Sequence, residues 1–247
     1  IDLKDVQQQL DAVMKAAAIG GDGGVLNEVD GNQIFASLGL KGPRQLFLPL
    51  SEIKAQPASA SVAKAGLGYP LVAKLVSPDL PHKSDYGAVV LSIETGDALD
   101  AAVAQMRKAI NSHLPAANIE GLLLQEMAFG LGEALVGLRH DNLVGPIITV
   151  GAGGIFAEIY KDVSIRPAPV SLATARKMID GVKGFAALRG YRGKATGDLE
   201  ALANLVANLS QLANLRRIAE AEINPVLVQA DGVLMLDALI RIQPQPM

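Results

Sequence analysis

The chain has 247 residues, half of them hydrophobic but only 4% aromatic, and a formal net charge of −3. This composition supports a sizeable aliphatic core, and the charge excludes the large basic surface that nucleic acid or an anionic membrane requires. The chain has no cysteine, which excludes disulfides, thiolate metal sites and cysteine nucleophiles. It also has no apolar run long enough to span a membrane. We therefore expect a cytoplasmic protein of one large or two smaller domains that binds neither nucleic acid nor membrane.

Hydrophobic spacing in the first half predicts helices and strands in alternation. Residues 1–18 have apolar residues at helical spacing, and the run IGGDGG that follows predicts a linker, so that 1–24 form a peripheral N-terminal helix and linker. A second helix is predicted over 27–40, and 42–61 is predicted as a short strand and a loop. The next predicted elements are strands over 69–76 and 88–93, joined by the loop 77–87, and a helix over 97–111.

The second half of the chain is predicted to be rich in strands. The predicted elements are strands over 121–128, 133–141, 145–151 and 155–167, helices near 171–182 and 198–214, and a final strand pair over 222–228 and 233–240. This order lacks the regular βαβ rhythm of a doubly wound sheet. We therefore expect a mixed α/β or α+β fold.

Motifs for several enzyme classes are missing, but polar residues interrupt the apolar strands. There is no P-loop, no serine-hydrolase elbow and no His-Glu-x-x-His, and residues 151–154 lack the third glycine of a dinucleotide fingerprint. Lys74, Glu126, Glu133 and Glu158 each lie within a predicted strand. A lysine in a buried strand is costly unless it meets an anion, or else it extends to solvent from an edge strand. The four interruptions together favour a site that combines cation ligands with a lysine for phosphate.

The last strand pair brings oxygen ligands together. With a two-residue turn at Asp231–Gly232, Leu239 lies opposite Asn224, and Asp237 lies one diagonal step from Asn224. Glu222 shares this face because side chains alternate with a period of two. Two carboxylates and a carboxamide suit Mg²⁺, which commonly takes one or two protein carboxylates together with nucleotide phosphates. The alternative is an outward polar face at the edge of a sheet.

The loop between the first two strong strands contains the run Pro-His-Lys-Ser-Asp over 81–85. His82 and its polar neighbours are typical of a loop that binds phosphate or is itself phosphorylated, and also of a solvated turn. The residues of the loop alone leave both interpretations open.

Several long motifs follow one another from about residue 25 to the end of the chain. They read VAKLVSPDLPHKSDYGAVVL, EGLLLQEM, GEALVGLRHD, GPIITVGAGGIFAEIYKDVSIRPAP, LRGYRGK and AEINPVLV…VLMLDALI. In this order they resemble the ATP-grasp module of the NDP-forming acyl-CoA synthetases, which are relatives of the succinyl-CoA synthetase β chain. The resemblance implies the ATP-grasp fold, with a small lobe over 59–124, a large lobe over 25–58 and 125–247, and nucleotide in the cleft between them.

The resemblance implies which residues contact ATP or ADP. Lys74 corresponds to the lysine that contacts phosphate in this family. Glu126 and Met127 correspond to the hinge whose backbone meets adenine, and Glu133 corresponds to an acidic residue near the nucleotide. These four residues are the expected nucleotide contacts.

The resemblance also implies a metal site and a phosphoryl relay. Asn224 and Asp237 correspond to the Mg²⁺ ligands of the family, which agrees with the expectation from the hairpin. His82 corresponds to the loop histidine that relays a phosphoryl group. The family reaction converts acyl-CoA, NDP and phosphate to acid, CoA and NTP through an acyl phosphate and a phosphohistidine.

The CoA-binding module of such an enzyme is not in this sequence. We therefore expect a partner module, on the same polypeptide or a separate α subunit, which presents the acyl phosphate or acyl-CoA, and an oligomeric enzyme. Residues 1–24 are then the tail of a preceding domain or a linker. Two alternatives are a regulatory ATP-grasp-like module of a protein acetyltransferase and an ATP-grasp carboxylate–amine ligase. The intact His82 loop counts against both, and the intact Mg²⁺ ligands count against the first.

Overall fold

The computed structural model describes residues 1–79, 86–113, 116–153 and 162–245. The chain divides into two compact units, one formed by Ile1–Gly42 with Phe129–Met247 and the other by Pro43–Ala128. Each unit has its own β-sheet and its own hydrophobic core. Among the described residues, no helix has both the length and the apolar character needed to cross a lipid bilayer.

The elements follow one another along the chain in an irregular order of helices and strands. They are α1 (Leu3–Ala16), β1 (Gly24–Leu26), α2 (Glu28–Ser37), β2 (Gln45–Pro49), α3 (Leu50–Ala55), α4 (Ala58–Ala65), β3 (Leu71–Val76), β4 (Val89–Ile93), α5 (Gly96–His113), β5 (Gly121–Glu126), β6 (Gly132–Asp141), β7 (Gly145–Ala152), β8 (Val163–Pro167), α6 (Leu172–Gly181), α7 (Leu199–Ser210), β9 (Ile218–Gln229), β10 (Gly232–Met235) and β11 (Ala238–Ile242). Short 3₁₀ segments cover Lys183–Leu188, Tyr191–Gly193 and Gln211–Asn214.

The first unit is built on a seven-stranded antiparallel sheet. Its strand order is β1-β11-β9-β6-β7-β8, and β10 also pairs with β9. Ala134, Val136 and Leu138 of β6 are buried in one core with apolar residues of α1, α2, α6 and α7. Because strand side chains alternate between faces, residues such as Glu133 and Gly137 lie on the face away from this core.

Helix α1 is part of this core. The Asp2 side chain accepts the Lys4 N–H at 2.8 Å and caps the helix, which is a typical N-cap contact. Val6 and Leu10 are fully buried in the same cluster as the sheet. The prediction of a helix is confirmed, but the prediction that it is peripheral is wrong. The apolar spacing identifies the buried stripe of a helix without identifying what the stripe packs against.

The second unit is built on a four-stranded sheet with the order β2-β5-β3-β4. Strand β2 pairs with β5 along its whole length, and residues 43–58 and 125–128 lie in this unit, whereas the resemblance implies that they belong to the large lobe. Helices α3 and α4 occur where a loop was predicted. Both follow a proline at the N-cap position without a side-chain cap, and both are too short to show a helical period.

The final strands form a hairpin whose turn differs from the predicted one. Gln229 pairs with Gly232, so Ala230 and Asp231 form the turn, and the predicted turn at Asp231–Gly232 is wrong. The register is displaced by two residues, and Leu239 lies opposite Glu222. Because the displacement is even, Glu222, Asn224 and Asp237 stay on one face as predicted. The alternation breaks between β10 and β11, since Met235 and Ala238 are both buried in the core.

Candidate functional site

The predicted metal ligands lie side by side, Asn224 in β9 and Asp237 in the break between β10 and β11. The Asn224 N–H donates to the Asp237 carbonyl oxygen at 3.3 Å, so the two residues are direct neighbours. The Asn224 Nδ2 lies 3.5 Å from Oε1 of Glu222, and the Asp237 Oδ1 accepts the Ala238 N–H at 3.0 Å. The predicted proximity of Asn224, Asp237 and Glu222 is confirmed.

Within this group, the negative charge of Glu222 is disfavoured by its surroundings. Burial raises the pKa of Glu222 above its ordinary value, and the nearby carboxylates of Glu220 and Asp237 raise it further, while the hydrogen bond from Asn224 lowers it. Arg241 offsets part of this charge, because its Nε lies 2.8 Å from Oε2 of Glu220. A cation bound among these oxygens would favour the ionised form of Glu222.

The side-chain oxygens of Asn224 and Asp237 suit a Mg²⁺ ion that also binds phosphate oxygens. Within the described part of the chain, no three or more His, Asp or Glu side chains are grouped so that they could hold a metal ion. Magnesium bound by proteins usually keeps several waters and takes one or two carboxylates together with substrate phosphates. Asn224 and Asp237 therefore suit a metal that a bound nucleotide helps to coordinate.

The neighbouring strand leaves room beside Glu222. Gly137 of β6 pairs with Glu222, and a Cβ atom on Gly137 would lie 3.6 Å from Oε2 of that glutamate. Farther along β6, Glu133 is exposed and pairs with Leu227, while its carbonyl oxygen accepts the Gly153 N–H at 2.8 Å. Glu133 thus lies on the same strand pair as Glu222, with an accessible side chain.

Lys74 lies in the four-stranded sheet of the other unit. It is 7% exposed and pairs with Val89 of β4 and Leu123 of β5. Strand β3 is therefore an interior strand, and the interpretation that Lys74 extends to solvent from an edge strand is wrong. Burying an ammonium group is costly, so its occurrence here favours a role for its charge.

The predicted hinge is held firmly at its first residue. The Glu126 carboxylate oxygen Oε1 accepts from Arg44 Nη1 at 2.9 Å and from the Gly68 N–H at 2.8 Å. The Glu126 N–H donates to the Arg44 carbonyl oxygen, and the Met127 N–H donates to the Pro70 carbonyl oxygen, each at 2.9 Å. Both backbone N–H groups of the predicted hinge therefore already have protein acceptors.

Two residues that the sequence singles out lie in segments that the structure does not describe. His82 and Glu158 lie in the segments 80–85 and 154–161, outside the described residues. Sequence reasoning also missed Arg44, whose ion pair with Glu126 joins residues 82 positions apart. No local pattern marks Arg44, because the contact depends on the pairing of β2 with β5.

The motif order, the two antiparallel sheets and the oxygen-rich group agree with one family. The model of the ATP-grasp domain family matches residues 17–242. The chain belongs to the ATP-grasp family. This membership confirms the fold class that the motifs implied.

The relatives of this ATP-grasp domain include separate subunits and longer chains. It is 36% identical over 194 residues to the β subunit of acetate–CoA ligase (ADP-forming) I from Pyrococcus furiosus, covering 77% of this chain and 84% of that subunit. It is 40% identical over 172 residues to acetate–CoA ligase (ADP-forming) I from Archaeoglobus fulgidus, covering 69% of this chain. The match spans only 25% of that longer protein.

A solved structure shares the architecture of the domain. The match is to dinucleotide forming acetyl-coenzyme A synthetase 1 from Ca. Korarchaeum cryptofilum, solved in complex with coenzyme A, Ca-AMPCP and HgCl⁺. The two chains are 31% identical with a TM-score of 0.84, and the match covers 94% of this chain and 99% of that one.

Proposed function

We propose that this chain is the nucleotide-binding, phosphoryl-transferring module of an NDP-forming acyl-CoA synthetase, an acid–thiol ligase. In the synthetic direction the complete enzyme converts acid, CoA and ATP to acyl-CoA, ADP and phosphate. The γ-phosphoryl group passes from ATP through a phosphohistidine to an acyl phosphate, and the CoA thiol then displaces phosphate from the acyl carbon.

The observation that carries this proposal is the pairing of Asn224 with Asp237 beside the half-buried Glu222. In an ATP-grasp domain with relatives named as ADP-forming CoA ligases, such an oxygen group is suited to Mg²⁺ on a nucleotide. These relatives support neither the regulatory module of an acetyltransferase nor a carboxylate–amine ligase.

Each predicted site residue has a role in this proposal. Lys74 offsets phosphate charge from a buried position, and the carbonyl groups of Glu126 and Met127 meet the adenine base. Glu133 lies near the nucleotide on the strand pair that carries the metal ligands. Asn224 and Asp237 hold Mg²⁺, which when bound neutralises phosphate charge and orients the phosphoryl group.

The phosphoryl relay and the partner complete the proposal. His82 accepts the phosphoryl group, because a neutral imidazole is a competent nucleophile near pH 7. A CoA-binding module, as a separate subunit or as part of a longer chain, supplies the acyl and CoA sites. The enzyme acts in the cytoplasm as an oligomer that contains both modules.

The metal role is tested by calorimetric titration with ATP, with and without Mg²⁺. Asp237→Asn should weaken binding of the Mg²⁺ complex strongly and leave metal-free ATP nearly unchanged. Asp231→Asn is the matched control, because this aspartate lies exposed at the turn of the same hairpin. Equal affinity of the wild type and Asp237→Asn for MgATP would remove the residue from the site.

The relay is tested with γ-labelled ATP and the CoA-binding partner. His82→Ala should keep MgATP binding but lose the acid-labile, base-stable phosphate and the overall turnover. Turnover at the wild-type rate in this variant would contradict the relay.

A further inference from the structure

Arg44 joins three segments of the unit Pro43–Ala128. Its guanidinium donates from Nη1 to Oε1 of Glu126 and from Nη2 to the carbonyl oxygen of Gly66, each at 2.9 Å. The same Glu126 oxygen accepts the Gly68 N–H at 2.8 Å. The Glu126 N–H donates to the Arg44 carbonyl oxygen at 2.9 Å. The last residue of β5 is thus held by both its side chain and its backbone.

Stability alone does not account for this arrangement. The Arg44 side chain is 63% exposed and the Glu126 side chain is 27% exposed. Ion pairs with this degree of exposure contribute little to folding, because water screens the attraction and the long side chains lose entropy. What the contacts supply is a fixed position for Glu126 relative to the Gly66–Gly68 segment.

In the proposed function, the backbone of Glu126 and Met127 meets the adenine base. Both N–H groups donate to protein carbonyl oxygens, those of Arg44 and Pro70. The groups of this dipeptide that remain for a base are its carbonyl oxygens. Adenine has an exocyclic amino group that donates to such an oxygen, whereas guanine has a carbonyl oxygen at the equivalent position. When the guanine carbonyl oxygen faces a carbonyl oxygen of the hinge, both acceptors are left without a donor. This penalty disfavours guanine relative to adenine.

We infer that Arg44 is a positioning residue that sets the preference of this hinge for adenine over guanine nucleotides. The inference rests on the proposed function, because it takes Glu126 and Met127 as the segment that meets the base. Arg44 acts through Glu126 and the Gly66–Gly68 segment. Without the guanidinium, the Glu126 carboxylate loses its charged partner, and the direction of the hinge carbonyl groups is less well fixed.

The test compares the dissociation constants of MgATP and MgGTP on the 247-residue chain by calorimetry. Arg44→Met should weaken MgATP binding roughly tenfold, about the effect of one hydrogen bond to a charged group, and change MgGTP much less. Arg44→Lys keeps the charge but lacks the planar guanidinium whose two nitrogens reach the two acceptors, so its ATP-to-GTP preference should be intermediate. Arg176→Met is the control, because Arg176 forms an exposed pair with Glu200 in the other unit.

The outcomes separate the inference from the proposed function. Melting temperature should change by a few degrees at most in both methionine variants, since both lose an exposed ion pair. An ATP-to-GTP preference in Arg44→Met equal to that of the wild type would overturn the inference and leave the proposed function intact. If Arg44→Met does not fold, the same criterion applies to Arg44→Lys. A wild-type chain that binds neither nucleotide would overturn both.

Discussion

The packing of α1 can be tested with two leucines in opposite environments. Leu10 has no exposed surface and lies in the core of the first unit, whereas Leu143 is 94% exposed at the end of the β6–β7 hairpin. Replacing a buried leucine by alanine removes apolar burial and leaves a cavity, at a cost of about 2–5 kcal/mol. The same substitution at Leu143 removes almost no buried surface and should change stability by less than about 0.5 kcal/mol.

This difference is large enough to measure by thermal unfolding. For chains of this size, about 1 kcal/mol lowers the melting temperature by roughly 2–4 °C, so a cost of about 3 kcal/mol predicts a decrease of roughly 6–12 °C for Leu10→Ala. Differential scanning calorimetry is the assay. Because the chain has two compact units, Leu99→Ala serves as the reference for the other unit, since Leu99 is buried in that core.

A melting curve of Leu10→Ala that coincides with that of Leu143→Ala would refute this reasoning. It would mean that α1 does not pack on the sheet in solution. Residues 1–24 would then behave as the peripheral helix and linker that the sequence alone predicts.

Three further predictions concern the site and the second sheet. The raised pKa of Glu222 means that the folded chain holds the Glu222 proton more tightly than the unfolded chain does. The stability that this proton contributes is therefore lost as the pH rises from the ordinary glutamate pKa through the pKa in the folded chain. Glu222→Gln should therefore gain stability relative to the wild type between pH 4 and pH 8 in urea unfolding, and a constant difference would contradict this. Lys74→Met should keep the circular dichroism spectrum but lose the rise in melting temperature that MgATP gives the wild type, and a retained rise would remove Lys74 from the phosphate site. Gly121→Ala should lower stability by about 1–3 kcal/mol, because the added Cβ would overlap the Leu48 carbonyl oxygen. Gly20→Ala is the control and should be nearly neutral, because a Cβ there would have no neighbour within 4 Å. Equal melting temperatures of the two variants would contradict this prediction.

Long periodic segments of the fold could be predicted from the sequence, and short or irregular ones could not. Helices α1 and α5 and strands β6 and β7 extend over enough residues for the apolar period to identify them. Helices α3 and α4 contain six and eight residues and follow prolines that provide no side-chain cap, so neither periodicity nor capping marks them. Their structure comes from packing against the second sheet, which local sequence does not encode.

The contacts of Glu126 show a second kind of feature that the sequence does not predict. Glu126 is visible in the sequence as a charge at the end of an apolar strand, but its partners Arg44 and Gly68 lie 82 and 58 residues away. Only the pairing of β5 with β2 and β3 brings them together. The sequence therefore predicts that this glutamate is unusual without predicting that its N–H group is already bonded.

Asn224, Asp237 and Glu222 lie together as predicted, although the predicted turn is wrong. The geometry of antiparallel strands explains why. A two-residue displacement moves Asn224 from a diagonal position to one directly beside Asp237, but it keeps both residues and Glu222 on the same face. A one-residue displacement would turn the two carboxylates and the carboxamide toward the core, where such groups without a partner are too costly to bury. Ala221 and Ile223 of β9 and their partners Ile240 and Ala238 of β11 are buried in the core, so Glu222, Asn224 and Asp237, which alternate with them, lie on the other face. The hydrophobic core therefore determines which face carries the oxygens, and the turn determines only how close together they lie.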